Sequence, residues 1–159
     1  TLGCLRAYDR LLGDAQRFDN VLDLGCGTAV LAMSAARMGA ASVLASDIDP
    51  VAVEVALANV KANGLDGRVG CVESIGFDSP VVQAGAPFDL IFANILKGPL
   101  IELAPDMAAH LASGGLAILS GLLIEQAEEI VKVYQAQGFD LQTREDLGEW
   151  SALTLRRHH

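Results

Sequence analysis

Val21-Leu22-Asp23-Leu24-Gly25-Cys26-Gly27-Thr28-Ala29, with Ser46-Asp47-Ile48-Asp49-Pro50 downstream, is the stretch that decides the fold. It reads as a short buried strand, a glycine turn that opens a helix, and a second strand ending in an acid. Asp47 follows Gly27 by 20 residues. That layout sets a nucleoside-sized cleft at the carboxyl ends of parallel strands. Outward from it, helical apolar spacing runs from Leu2 to about Leu12 and stops at Gly13. Ala29–Met38 reads as an apolar helix ended by Gly39, and Ser42–Ser46 as the second strand. Pro50 suits the first turn of the next helix, which runs to Asn63-Gly64.

Arg68–Val72 and Phe88–Ala93 read as strands three and four. Pro99–Leu111 reads as a helix with a break at Ser113-Gly114-Gly115 behind it, and Leu116–Leu119 as strand five. Glu125–Ala136 is helical and ends at Gly138. Phe139–Arg144 and Trp150–Leu155 are strand-like and joined by a turn around Asp146-Leu147-Gly148. Strand–helix alternation implies an α/β fold, a Rossmann-like, mostly parallel seven-stranded sheet with helices on both faces. The C-terminal antiparallel hairpin implies one antiparallel strand inserted near an edge. Ser74–Pro87 is expected to be the longest irregular stretch and to overhang the cleft.

With 159 residues, 52% hydrophobic and 19% charged, the chain is expected to form one folded domain. No apolar run reaches the roughly 18 residues of a membrane span, so no membrane partner is expected, and three scattered cysteines without C-x-x-C spacing suggest a reducing cytoplasm. A start at Thr1 without methionine reads as truncation or processing, and His158-His159 as the remains of a purification tag. His110 is then the only histidine, read as a helix-terminal residue, and histidine triads and metal sites lose support. Cys4, Cys26 and Cys71 are far apart and read as buried thiols. Cys26 fits the turn as a small residue rather than as a nucleophile. A net charge of −9 without a basic stripe argues against direct nucleic-acid binding.

The turn also selects its ligand. A dinucleotide fingerprint wants glycine or alanine at position 30, where Val30 is expected to crowd the helix–strand packing and the pyrophosphate turn. An acid two residues before a short G-x-G suits a ligand with an adenosine ribose and an amino-acid tail, namely S-adenosylmethionine. Gly25 and Gly27 let the backbone approach the methionine portion. Asp47 accepts hydrogen bonds from the ribose hydroxyls, while Asp49 caps the following helix. Ile48 packs on adenine, and Glu73 or Ser74 meets its edge. Asp23 orients the α-amino group or, alternatively, holds the turn. Asn94 ends strand four where the transferable methyl should lie. Lys97 is expected to be solvated, and Trp150 to anchor an edge or the core.

These residues resemble the class I S-adenosylmethionine-dependent methyltransferases, and more closely the bacterial ribosomal protein L-eleven methyltransferase family. The resemblance covers nearly the whole chain. It rests on Val21–Gly27, Asp47–Pro50, Ala58-Asn59, Asn63-Gly64, Phe88–Leu96 and Gly148-Glu149-Trp150, with Asn94-Ile95-Leu96 the most discriminating piece. It implies that residues 1–157 are a catalytic domain whose family also carries an amino-terminal substrate-capturing domain absent here. It implies that Thr1 ends a threonine-rich segment that helps close the coenzyme site. It also implies methyl transfer to lysine amines, and to a terminal amine, of large-subunit ribosomal protein L-eleven. Ala29 departs from the family, which commonly has glycine there. The coenzyme-binding candidates are thus Thr1, Asp23, Gly25, Cys26, Gly27, Asp47, Ile48, Ser74 and Asn94, with Asn94 also the catalytic candidate and no metal ligand. Three other readings remain: an N-methyltransferase of another protein or small amine, a nicotinamide-dependent oxidoreductase, and a coenzyme-binding module without turnover.

Overall fold

Strand and helix alternate along the chain because its apolar residues switch between runs of Val, Leu and Ile and alanine-rich helical spacing. The computed structural model describes all 159 residues. Helix α1 (Leu2–Gly13) precedes β1 (Asn20–Leu24), α2 (Val30–Arg37), β2 (Ser42–Asp47), α3 (Pro50–Ala62) and β3 (Val69–Glu73). Then come α4 (Pro80–Gly85), β4 (Phe88–Asn94), α5 (Lys97–Glu102), α6 (Ala104–His110) and β5 (Leu111–Leu123). A 3-10 turn (Ile124–Gln126), α7 (Ala127–Ala136), β6 (Phe139–Leu147) and β7 (Trp150–Arg157) complete it.

The seven strands lie in the order β3-β2-β1-β4-β5-β7-β6. The first five pair in parallel, and β7 enters antiparallel between β5 and β6. That is the expected sheet with its single inverted strand. Successive residues of β1 face opposite sides, so Val21 joins the core under α1, α2 and α3 while Leu22 joins the core under α4 to α7. The chain leaves β1 in one direction for β2 and reaches β4 on the other side. The switch point, and hence the cleft, falls between the carboxyl ends of β1 and β4.

Several local expectations need correction. The helix expected over Pro99–Leu111 is two short helices that meet at Leu103. Pro105 in the first turn of α6 has no N–H to continue the preceding one. Ser113-Gly114-Gly115 does not end an element; it is a bulge within β5, where pairing jumps from Phe88↔Leu111 to Leu90↔Leu116. A second bulge carries Ser120-Gly121, between Leu119↔Leu153 and Leu122↔Ser151. The stretch Ser74–Pro87 holds a helix, α4, capped by the Ser79 hydroxyl, which accepts from the Val81 N–H at 3.2 Å. The hairpin turn is Gly148-Glu149, slightly later than expected.

Candidate functional site

Leaving β1, the backbone turns left-handed at Gly25 (φ 70°), Gly27 (φ 53°) and Ala29 (φ 67°). Ala29 thus occupies a conformation that favours glycine, and it does so fully buried. The Cys26 N–H donates to the Ser46 carbonyl at 2.8 Å, stitching the turn to β2. The Gly27 N–H donates to Asp47 Oδ2 at 3.0 Å, and the Asp49 N–H to Oδ1 at 3.0 Å. Each Asp47 oxygen therefore holds one loop and keeps a lone-pair direction free. Asp49 caps α3 as expected, accepting from Val51 N–H at 2.9 Å.

A cavity of about 340 Å³ opens beside this turn, lined by Leu24, Gly25, Asp47, Ile48, Ser74 and Gly76, with Ile95, Leu96, Pro99 and Leu103 opposite. Ile48 is exposed there. Of the pair Glu73 and Ser74, only Ser74 lines the cavity. Its hydroxyl donates to Gly76 O at 2.8 Å and accepts from Ser79 N–H at 3.2 Å, so it mainly shapes the loop.

Asp23 lines neither this cavity nor the next. It is buried, and its Oδ2 accepts the Ala32 N–H at 3.0 Å, which holds α2 behind the turn. Burial pushes its carboxyl up to about 7; the Ala32 hydrogen bond opposes this, and the Asp47 charge adds to it. Burial likewise pushes the Cys26 thiol up to about 12, with Asp23 and Asp47 adding to it, so the thiol is no nucleophile. Val30 opens α2 at 38% exposure, so it does not crowd helix–strand packing, and that half of the argument against a dinucleotide fails.

A second cavity, of about 350 Å³, lies across the end of β4. Asn94 Nδ2 donates to Thr1 Oγ1 at 2.9 Å, joining the start of α1 to the end of β4. Thr1, Leu2 and Gly3 form one wall, so Thr1 and Asn94, expected among the coenzyme residues, line this cavity and not the one beside the glycine turn. Glu145, Leu147, Trp150, Ser151 and Ala152 form the other, with Asn94, Ser120 and Gly121 between them. Trp150, expected at an edge or in the core, is half exposed in this wall. Ile95 separates the two cavities. A Cβ on Gly25 would meet Ile95 Cγ2 at 2.5 Å, and one on Gly121 would meet the Ile95 carbonyl oxygen at 2.6 Å. Two left-handed glycines thus leave room for one residue between them.

Sequence reasoning missed Ser120, Gly121, Glu145 and Ser151. A lone glycine inside an apolar strand is the usual sign of a bulge and marked Gly121; nothing local marked Glu145. Glu145 pairs with Arg6 and Arg10, each at 2.7 Å. The Arg10 hydrogen bond foremost, and then Arg6, hold its carboxyl below the usual range against some desolvation. Lys97 is not simply solvated: it pairs with Glu129 and ties α5 to α7. His110 ends α6 and stacks on Phe77 with ring centroids 4.5 Å apart, lining neither cavity. No three His, Cys, Asp or Glu side chains gather as a metal site, and no helix is long and apolar enough to cross a membrane.

The model of the family described as "Ribosomal protein L11 methyltransferase (PrmA)" matches residues 1–158. The chain belongs to the ribosomal protein L11 methyltransferase family. The ribosomal protein L11 methyltransferase of Bradyrhizobium diazoefficiens is 45% identical over 157 residues, covering 99% of this chain and 53% of that protein. That of Brucella melitensis biotype 2 is 43% identical over 156 residues, covering 98% and 54%. The chain thus spans about half the length of these relatives. The crystal structure of ribosomal protein L11 methylase from Lactobacillus delbrueckii subsp. bulgaricus superposes with a TM-score of 0.83 at 31% identity, over 99% of this chain and 76% of that one. Magnesium protoporphyrin IX methyltransferase from Synechocystis, solved with bound S-adenosylmethionine, shares the fold alone, at 17% identity and a TM-score of 0.77. In this family member the glycine turn and Asn94 follow the two strands that flank the switch point, and Asp47 ends the neighbouring β2.

Proposed function

We propose that residues 1–157 are the catalytic part of a methyltransferase that uses S-adenosylmethionine to methylate amines of large-subunit ribosomal protein L-eleven. Substrate capture is assigned to the portion of the relatives that this chain does not span. The observation that carries the reading is Asp47. Its carboxylate ties the glycine turn to the end of β2 and still offers acceptor capacity at the rim of a mainly apolar cavity. A ribose diol fits that capacity, adenine packs on the exposed Ile48, and the left-handed turn at Gly25 lets the methionine portion approach the backbone. Gly27 keeps the turn open. Cys26 contributes its backbone to the turn, and Asp23 fixes the helix behind it. Ser74 shapes the adenine edge.

S-Adenosylmethionine, when bound, supplies a methyl group already activated on a sulfonium. The chain's residues then have three tasks. The Asn94 and Thr1 side chains, joined at 2.9 Å, offer oxygens that orient an incoming amine. Ile95 and Leu96 screen the reacting atoms from water. The second cavity presents hydroxyl and amide groups, with Glu145 already paired to two arginines. A lysine amine, with a reference pKa of about 10.4, therefore meets no free anion that would hold it protonated, and its proton passes to solvent. Asn94-Ile95-Leu96-Lys97 offers no aromatic ring to stack on a planar acceptor, which favours an aliphatic amine. Orientation and desolvation carry the catalysis.

The test is methyl transfer from labelled S-adenosylmethionine to purified large-subunit ribosomal proteins, using the full-length protein. Label in ribosomal protein L-eleven, on lysine and terminal amines, is expected. Label elsewhere, or none, removes that substrate. Titration of this chain with S-adenosylhomocysteine and with NAD separates the coenzyme reading from the nicotinamide one.

A further inference from the structure

The two walls of the second cavity come from opposite ends of the chain. Thr1 precedes α1 and Leu2-Gly3 begin it; Trp150–Ala152 begin β7. They meet closely only because Gly3 has no side chain: a Cβ there would lie 2.8 Å from that of Ala152. Further along α1, Arg6 and Arg10 stand one turn apart on the same helix face. One guanidinium takes each oxygen of Glu145, both at 2.7 Å. The arginines are 53% and 42% exposed, the carboxylate 16%. Glu145 is thus a cavity-wall residue gripped from the solvent side by the helix that begins with the hydrogen-bond partner of Asn94.

We propose that Glu145 is a positioning residue for the amine acceptor: bridged by Arg6 and Arg10, it sets the spacing between the Thr1 end of α1 and the Trp150–Ser151 wall. This rests on the assignment of the second cavity to the acceptor. Glu145 lines that cavity, and neither it nor Arg6 nor Arg10 lines the coenzyme cavity beyond Ile95. Its paired geometry uses both carboxylate oxygens, so an amide or a single arginine cannot replace it.

Trp150 is the only tryptophan of these 159 residues, which gives this chain a readout independent of turnover. Glu145→Gln and the double variant Arg6→Ala/Arg10→Ala should each raise acrylamide quenching of Trp150 and the KM for the protein acceptor. The change should be roughly two- to fivefold, the scale of a partly exposed ion-pair network. Combining all three changes should add little, because they break one bridge, and Glu145→Asp should restore part of the loss. S-Adenosylhomocysteine affinity should stay within about twofold of the parent, since ion pairs outside its cavity contribute little to it. High salt should move the parent toward the variants. The proposal is overturned if Glu145→Gln acts while the arginine pair does not, since Glu145 would then touch the amine itself. A matching loss of S-adenosylhomocysteine affinity, or unchanged Trp150 quenching in both variants, overturns it too. If the parent methylates no ribosomal protein, the substrate reading falls, and the quenching and titration arms still decide this one.

Discussion

The two cavities are nearly equal, about 340 Å³ and 350 Å³, yet they are built in different ways. The one assigned to the coenzyme is shaped at strand ends and held largely by backbone groups: Cys26 N–H on Ser46 O, Gly27 and Asp49 N–H on Asp47, Ser74 N–H on Asp47 O. The one assigned to the acceptor is closed by side chains from both ends of the chain: Asn94 on Thr1, and Arg6 and Arg10 on Glu145. Backbone-built sites depend on conformation, so substitutions there act through strain and lost turns. Side-chain-built sites depend on distant pairs and should lose acceptor handling first, with the fold and coenzyme affinity retained.

The largest effect should come from Asp23, which holds the backbone-built side from beneath. Its carboxyl stands at about 7 in the folded chain against 3.8 unperturbed. Between those values the folded state keeps a proton that the unfolded state releases. Stability therefore falls as pH rises through that window and levels off above about 7. A shift of about three units corresponds to roughly 4 kcal/mol. Asp23→Asn should flatten this part of the stability profile, measured by urea unfolding from pH 4 to pH 8. A slope that survives in the variant would place its origin elsewhere.

Next is Gly25→Ala. The left-handed φ costs a side chain about 1–2 kcal/mol, and crowding against Ile95 adds about 1–3 kcal/mol. Lower thermal stability and weaker S-adenosylhomocysteine binding are expected together. Unaltered binding in calorimetry would mean that the ligand does not approach this backbone. Asp47→Ala should weaken the same binding by about 1.5–3 kcal/mol, the value of hydrogen bonds to a charged group. The KM of the acceptor should hold steady, and an equal rise in it would erase the distinction between the cavities.

The same contrast explains what could be read in advance. The turn, Asp47 and the Asp49 cap were legible because glycine, acid and proline spacings are local signals. The mostly parallel sheet with one inverted strand was legible because strand–helix alternation and a terminal hairpin leave few topologies. Helix α4 was missed although Ser79-Pro80 is a normal helix start; its six residues are too few to show a period. Gly114 and Gly121 lie in bulges, and a glycine-marked bulge looks like a strand end when the partner strand is unknown. Glu145 could not be read at all. Its arginine partner Arg10 is 135 residues away, and no local pattern records a pairing that exists only after β6 docks beside α1. Asn94 was legible as the end of strand four, and Thr1 was reached only through the family resemblance; their direct hydrogen bond was not foreseen.

The smallest effect, and the finest test of the comparison, is the Asn94–Thr1 pair. Asn94→Ala and Thr1→Ala each remove one partner of a partly exposed hydrogen bond, which is worth about 0.5–1.5 kcal/mol. Each should slow turnover by up to about tenfold while coenzyme affinity changes little. The double variant should be no slower than the worse single one, because both changes break the same contact. Additive losses would mean that the two side chains meet the amine separately. A fall in coenzyme affinity larger than the fall in turnover would move Asn94 to the coenzyme side. Ile95, pinned between Gly25 and Gly121, would then transmit between the two cavities rather than divide them.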